Sequence, residues 1–203
     1  MTHKPLVTGP GTTALHAINK QSMPAPKTIT EQLARAERSF LSVAEEIPPD
    51  HWMARPGADR WSAGELVCHL IMIERNIIQR AGWLVQKPPK PRSFLQRFHI
   101  PLVLVEARFI RRKTPIPLDP AMVGEKEQML AQFRAVRERT CAFIEETSGR
   151  DLSKYHMPHP FLGTMNAYEW FQMIALHQLR HTKQMKEIAA ALPKVNAANY
   201  QKS

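Results

Sequence analysis

Apolar residues recur every three or four positions along four segments of the chain, and this spacing predicts four amphipathic α-helices. The segments are 28–47, 62–87, 119–149 and 166–192. Proline follows the first, second and fourth of them, where it ends a helix, and a glycine closes the third. No segment shows the convincing alternation that is typical of a strand. Four helices with one apolar stripe each are predicted to pack as an all-α four-helix bundle.

Three of the predicted helix starts carry capping-box spacing, in which Ser, Thr or Asn is followed three residues later by Glu. These pairs are Thr28 with Glu31, Ser62 with Glu65, and Asn166 with Glu169. The third helix is predicted to begin at Asp119, with Pro120 at the first helical position, where its missing N–H costs nothing. Its inward face is predicted to include Met122, Met129 and Phe133.

The regions between and around the helices suggest how the chain is divided. Residues 1–27 show no hydrophobic period and are predicted to be an N-terminal arm. Residues 28–193 form the bundle, and residues 194–203 form a C-terminal tail. Residues 86–120 are a crossover interrupted by prolines, and a short extra helix is predicted over 94–112.

The composition narrows the class of protein. The chain has 203 residues, of which 43% are hydrophobic and 23% are charged, as in an ordinary globular domain. No stretch approaches the roughly 18 apolar residues of a membrane span, and the first residues lack the apolar region of a secretory signal. Two cysteines, Cys68 and Cys141, cannot form a disulfide framework and fit a reducing compartment. We therefore expect a cytoplasmic protein without a membrane partner.

The chain is strongly basic, with a formal net charge of +10. A charge of this size is typical of proteins that bind nucleic acid or another anionic partner, but it also occurs on solvated surfaces. The basic residues concentrate between positions 87 and 113 without forming a run of five or six like charges. This distribution favours a solvated basic surface, and a nucleic-acid partner is not expected.

Candidate chemistry centres on histidines that lie within apolar helix faces. His177 and His181 are four residues apart on the fourth predicted helix, so their side chains lie one above the other. His69 falls between apolar positions on the second predicted helix and also faces the core. Three imidazoles from two facing helices would form a metal site with an open position, because neutral imidazole binds zinc, nickel, copper and iron.

A second interpretation of these histidines remains open on spacing alone. A buried histidine is more often held by hydrogen bonds than bound to a metal. Gln178 follows His177, so the pair is not the His-Glu-x-x-His motif and supplies no general base. The spacing is thus compatible with a metal centre or with three hydrogen-bonded core histidines.

Two stretches around these histidines resemble the signatures of the DinB-like (YfiT-type) family. The first is WSAGELVCHL over residues 61–70, and the second is HQLRHTKQ over residues 177–184. The stretch HPFLG over residues 159–163 is also similar to members of that family. The resemblance covers about residues 28–192. It implies a four-helix bundle of up-down-down-up topology with a long crossover.

The resemblance also implies a metal centre and two related activities. Its ligands would be His69, His177 and His181, holding a divalent transition metal for which zinc and nickel are the leading candidates. Relatives include enzymes that transfer low-molecular-weight thiols and members called metal-dependent hydrolases. Both activities use an ion that lowers the pKa of a bound thiol or water. The prediction is a hydrolase or thiol S-transferase acting on a small electrophile, and the alternative is a structural or sensory metal-binding module without turnover.

Three further side chains are candidates for the surroundings of the metal. Glu74 and Glu169 could accept hydrogen bonds from imidazole N–H groups, and His159 could reach the mouth of the site. No catalytic side chain is assigned. The expected partners are a small-molecule substrate, a low-molecular-weight thiol as a second cofactor, and a second copy of the chain in a homodimer.

Overall fold

The structure is a computed structural model that describes residues 25–90, Leu102 and residues 120–192. These residues form four α-helices: α1 (Pro26–Ala44), α2 (Ala63–Leu84), α3 (Lys126–Glu146) and α4 (Ala167–Ala191). Two short strands, β1 (His156–His159) and β2 (Gly163–Asn166), pair as an antiparallel hairpin before α4. Short 3-10 turns cover Pro49–His51, Pro120–Met122 and Leu152–Lys154. The predicted all-α class is confirmed.

The helices pack so that each buries its apolar stripe against two others. The main pairs are α1 with α4 and α2 with α3, while α2 also contacts α4 and α1 also contacts α3. Aromatic side chains fill both ends of the core, with ring centroids 5.3 Å apart for Phe40 and Phe133 and 6.0 Å apart for Phe143 and Phe171. Burying each such side chain stabilises the fold by about 1.5–3 kcal/mol. The packing brings α2 and α4, the two helices that carry the candidate histidines, into contact.

The capping boxes of α2 and α4 are confirmed, and that of α1 is not. Helix α1 begins at Pro26, two residues before the predicted start, and Ala25 at its N-cap position makes no side-chain cap. Proline suits the first helical position, since it lacks the N–H that would be unsatisfied there and its φ angle is already helical. The hydroxyl of Thr30 donates to the Lys27 carbonyl oxygen, and Thr28 is an ordinary helical residue.

The start of α3 is also different from the prediction. Pro120 begins a 3-10 turn instead, and the α-helix starts six residues later at Lys126. The Nζ atom of Lys126 is buried and donates to the carbonyl oxygens of Glu45 and Ile47, at 2.8 and 2.7 Å. This contact satisfies carbonyl groups at the C-terminal end of α1 and anchors the first turn of α3. Met122, predicted to face inward, is 53% exposed.

A β-hairpin lies directly before the last helix, where the sequence showed no convincing strand pattern. Met157 pairs with Met165 in the hairpin register, and both side chains are buried. Gly163 has a φ angle of 89°, in the left-handed region that favours glycine, and it opens the second strand. Strands of four residues with an internal proline show no clear alternation. Packing of the two methionines against the bundle, rather than strand propensity, decides this structure.

Several predictions fall mostly outside the described residues. These are the N-terminal arm (1–27), the extra helix in the crossover (94–112) and the C-terminal tail (194–203), apart from Ala25, Pro26 and Lys27 and the single residue Leu102. Among the described residues, no helix is both long enough and apolar enough to cross a membrane.

Candidate metal centre

Helix α2 positions His69 through a rigid N-terminal cap. The Ser62 hydroxyl accepts from the Glu65 backbone N–H at 3.2 Å, and the Glu65 carboxylate accepts from the Ser62 backbone N–H at 2.8 Å. Arg55 adds a bidentate ion pair to the same carboxylate, with its Nε 2.9 Å from Oε2. The first turn of α2 is thereby held, and His69 lies buried in the next turn of the helix.

Helix α4 carries the other two histidines and has the same kind of cap. The Asn166 side chain accepts from the Glu169 backbone N–H at 3.0 Å, while the Glu169 carboxylate accepts from the Asn166 backbone N–H at 2.7 Å. His177 and His181 lie further along α4, on one face of the helix, and both rings contact His69 of α2.

The three imidazoles converge on one point. One ligand nitrogen from each of His69, His177 and His181 can be chosen so that all lie within 4.8 Å of one another. The Nε2 atoms of His177 and His181 are 3.0 Å apart. The ring of His69 meets those of His177 and His181 edge-on, at centroid distances of 5.3 and 5.1 Å. Within the described ranges, this is the cluster of His, Cys, Asp and Glu side chains with the spacing of metal ligands.

Burial keeps His69 and His177 uncharged at neutral pH. Desolvation lowers the pKa of His69 to about 4. Burial also lowers the pKa of His177 well below its usual range, and the neighbouring His181 and His69 lower it further. Neutral imidazole has the free lone pair that a metal ligand needs, so the protonation state suits metal binding.

A side chain one turn along α4 orients His181. The Oε1 atom of Gln184 lies 3.0 Å from Nδ1 of His181. Because an amide oxygen only accepts hydrogen bonds, Nδ1 carries the hydrogen and the lone pair is on Nε2. That Nε2 atom is the one that faces His177. Gln184 thus selects the tautomer in which Nε2, the nitrogen that faces His177, carries the lone pair that a metal ligand needs.

An aromatic side chain covers the cluster next to the cap of α2. Trp61 lies with its ring centroid 4.9 Å from that of His69 and 6.4 Å from that of His181. Its indole therefore contacts ligand candidates from both helices. Packing of the indole against both rings limits their rotation.

Comparison with known proteins bears on the same residues. The family model described as the DinB superfamily matches residues 32–185, a range that includes all three histidines. The chain belongs to the DinB superfamily. A relative from Bacillus subtilis (strain 168), the uncharacterized protein YuaE, is 30% identical over 135 residues, which cover 66% of this chain and 80% of the relative.

The three-histidine cluster of this DinB-superfamily chain fits a metal ion by the chemistry of its donors. Metal–nitrogen bonds of about 2.0–2.1 Å in a tetrahedral site hold the ligand nitrogens about 3.3 Å apart. The 3.0 Å between Nε2 of His177 and Nε2 of His181 is close to that separation. All three donors are imidazoles, and the tautomer of one is set by Gln184. A transition ion such as zinc or nickel suits such a donor set.

Two of the three candidates for the surroundings of the metal have other roles in this DinB-superfamily chain. The Glu74 carboxylate pairs with Arg137 through both oxygens, at 2.9 and 2.8 Å, and also accepts from the Thr140 hydroxyl at 2.7 Å. It belongs to a buried network around Arg137 that joins all four helices, and both of its oxygens are engaged there. Glu169 completes the cap of α4.

The third candidate, His159, lies beside the centre at the end of β1. Its ring centroid is 5.1 Å from that of Trp170, and it is near enough to His177 that its charge lowers the pKa of that residue. Cys68 is next to His69 in sequence but outside the cluster, with Sγ 3.7 Å from the Met122 carbonyl oxygen.

Sequence reasoning did not include Gln184 or Trp61 among the site residues of this DinB-superfamily chain. A signal for Gln184 exists, since a residue three positions after a helical ligand lies on the same face. For Trp61 the signal is weaker. It lies before the cap of α2, so its contact with His181 depends on how α2 packs against α4.

Proposed function

We propose that this chain is a metal-dependent enzyme in which His69, His177 and His181 hold a divalent transition metal, with zinc or nickel as the leading candidates. Its reaction is the hydrolysis of a small electrophile or the transfer of a low-molecular-weight thiol to it. The observation that carries the proposal is the convergence of three imidazoles within 4.8 Å. When bound, the ion would supply Lewis acidity that lowers the pKa of a water or thiol.

The side chains around the cluster support this role by what they do to the ligands. His69 and His181 are buried, and desolvation together with the neighbouring rings keeps His69 and His177 neutral. Gln184 holds the Nδ1 hydrogen of His181, and Trp61 covers the outer side of two rings. The Nε2 atoms of His177 and His181 already lie 3.0 Å apart, so a shared metal ion would need little rearrangement of these two rings.

Metal content tests the proposal directly. Protein purified without a histidine tag is expected to contain about one equivalent of a transition metal, since the chain offers one such cluster among its described residues. The His69→Ala and His177→Ala variants are expected to lose it. The measurement is inductively coupled plasma mass spectrometry. His51→Ala is the matched control, because His51 is a partly buried histidine outside the cluster and its loss should leave the metal in place.

The outcomes separate an enzyme from the alternative. Absence of metal in the wild-type protein, also after reconstitution with zinc or nickel, would contradict the proposal. Metal that is retained in wild type and lost in both cluster variants is to be followed by screens for ester hydrolysis and thiol transfer. Stoichiometric metal without turnover in either screen would favour a structural or sensory metal-binding module.

Gln184 is expected to tune metal affinity. The Gln184→Ala variant should bind zinc about 10–100-fold more weakly, because Nδ1 of His181 loses the acceptor that selects its tautomer. The measurement is competition with a chromophoric zinc chelator. Gln79→Ala removes an exposed glutamine from α2 about 15 Å further along that helix from His69 and should leave the affinity unchanged. Equal affinities of the two variants would show that Gln184 does not orient the ligand.

A further inference from the structure

His159 is held by a hairpin that runs directly into the helix of two candidate ligands. It is the last residue of β1 and pairs with Gly163, whose positive φ angle opens β2. Strand β2 ends at Asn166, which caps α4. The position of His159 is therefore tied to the first turn of α4 through the short β2 strand.

The turn of this hairpin determines which nitrogen of His159 carries the hydrogen. The Nδ1 atom accepts from the backbone N–H groups of Phe161 and Leu162, each at 3.1 Å. A nitrogen that accepts two hydrogen bonds has no hydrogen of its own, so the neutral ring is protonated at Nε2. Among the described residues, no protein acceptor contacts this Nε2–H group. His159 thus presents an Nε2–H donor whose orientation is fixed by the turn.

This donor packs on the part of α4 that precedes the ligand candidates, and it does not belong to the ligand cluster. The His159 ring packs on Trp170, whose indole Nε1 donates to the Met157 carbonyl oxygen of the same strand at 3.1 Å. Trp170 precedes His177 by two turns of α4 and lies on the same face. A charge on the His159 ring would lower the pKa of His177.

We propose that His159 is a further catalytic residue, whose Nε2–H group donates a hydrogen bond to an oxygen atom of the substrate at the three-histidine centre. This inference rests on the proposed function and narrows the substrate class to small electrophiles that carry a carbonyl or carboxylate oxygen. Because the backbone of the turn already fixes the orientation of the His159 ring, little reorganisation is needed when its N–H group binds a charged oxygen atom.

The same hydrogen bond would assist attack on a carbonyl group. As the electron pair of a water or thiol forms a bond to the carbonyl carbon, the π pair of the C=O bond moves onto the oxygen, where His159 stabilises the charge. The pair then re-forms the C=O bond while the bond to the leaving group breaks. The leaving group takes the proton that the attacking water or thiol releases. His159 keeps its hydrogen throughout.

Two variants distinguish the loss of the Nε2–H donor from the loss of the Nδ1 acceptor that holds the turn. In His159→Asn, the amide oxygen can take the place of Nδ1 as acceptor for Phe161 and Leu162, but no donor replaces Nε2–H. In His159→Gln, the longer side chain can place an amide N–H near the position of Nε2. His51→Asn makes the same chemical change at a partly buried histidine outside the cluster and serves as the control.

Acetate is the probe, and its binding to the cobalt-substituted full chain is followed by the visible absorption of cobalt(II). His159→Asn is expected to weaken acetate binding about tenfold, His159→Gln less, and His51→Asn not at all, with metal content unchanged. Equal affinity of wild type and His159→Asn, or no acetate binding by either, would overturn the inference while leaving the metal centre intact.

The tautomer supplies a readout that does not depend on metal. Long-range ¹H–¹⁵N correlation spectra of the metal-free chain are expected to show His159 protonated at Nε2 at neutral pH, since Nδ1 accepts two backbone hydrogen bonds. Protonation at Nδ1 would overturn the inference about His159. A failure of the proposed function appears separately, as absence of metal from the wild-type protein.

Discussion

Replacing Arg137 by methionine is expected to lower the free energy of unfolding by about 3–5 kcal/mol. The Arg137 side chain is 2% exposed and lies between all four helices. It donates to both carboxylate oxygens of Glu74 on α2, to the Leu33 carbonyl oxygen of α1 at 2.6 Å and to the Gln178 amide oxygen of α4 at 2.5 Å. Methionine fills a similar volume but leaves a buried carboxylate without its cation.

A double variant distinguishes the effect of the unpaired Glu74 charge on the free energy of unfolding from the effect of lost packing. In the double variant Arg137→Met with Glu74→Met, the unpaired charge is gone as well, so most of the stability is expected to return. Arg139→Met is the matched control on the same helix, because Arg139 and its partner Glu146 are both exposed. Its expected cost is below about 0.5 kcal/mol.

Urea unfolding followed by circular dichroism measures these differences. Similar losses in Arg137→Met and Arg139→Met would contradict the assignment of a buried ion pair. A double variant no more stable than Arg137→Met alone would show that lost hydrogen bonds, and not the unpaired Glu74 charge, dominate the cost. Because Gln178 lies between His177 and His181 in sequence, a weakened network should also loosen the centre.

Adding zinc to the metal-free chain is expected to raise the free energy of unfolding by about 4 kcal/mol when free zinc exceeds its dissociation constant by 1,000-fold. The reason is that metal binding and folding are thermodynamically linked. The three imidazoles converge only in the folded chain, so the ion binds the folded state and not the separated histidines of the unfolded one. Thermal or urea unfolding with and without zinc, and after addition of a chelator, measures the difference.

The matched variants are His181→Ala and His51→Ala. His181→Ala removes one of three ligand candidates and is expected to abolish most of the stabilisation by zinc, while His51→Ala should retain it. If His181→Ala were stabilised by zinc as strongly as wild type, the ion would be binding elsewhere on the chain. Unfolding data for the metal-free proteins provide the reference, so a change in stability of the variant itself is not mistaken for lost binding.

The helices and their faces follow from the sequence because their causes are local. The capping boxes of Ser62 with Glu65 and Asn166 with Glu169 involve residues three positions apart, and both form as predicted. The same period of 3.6 residues places His177 and His181 on one face. Where a local signal competes with another, prediction fails, as when Pro26 starts α1 ahead of Thr28.

What the sequence by itself determined is therefore the helical class, the caps of α2 and α4 and the core-facing direction of three histidines, all of which depend on neighbouring residues. Only the tertiary structure decided which partners meet across the bundle. Glu74 pairs with Arg137, 63 positions away, and the methionines of the hairpin pack on the core. His69 meets His177 and His181 for the same reason. Such contacts depend on the relative rotation and spacing of separate helices, which hydrophobic periodicity alone does not specify.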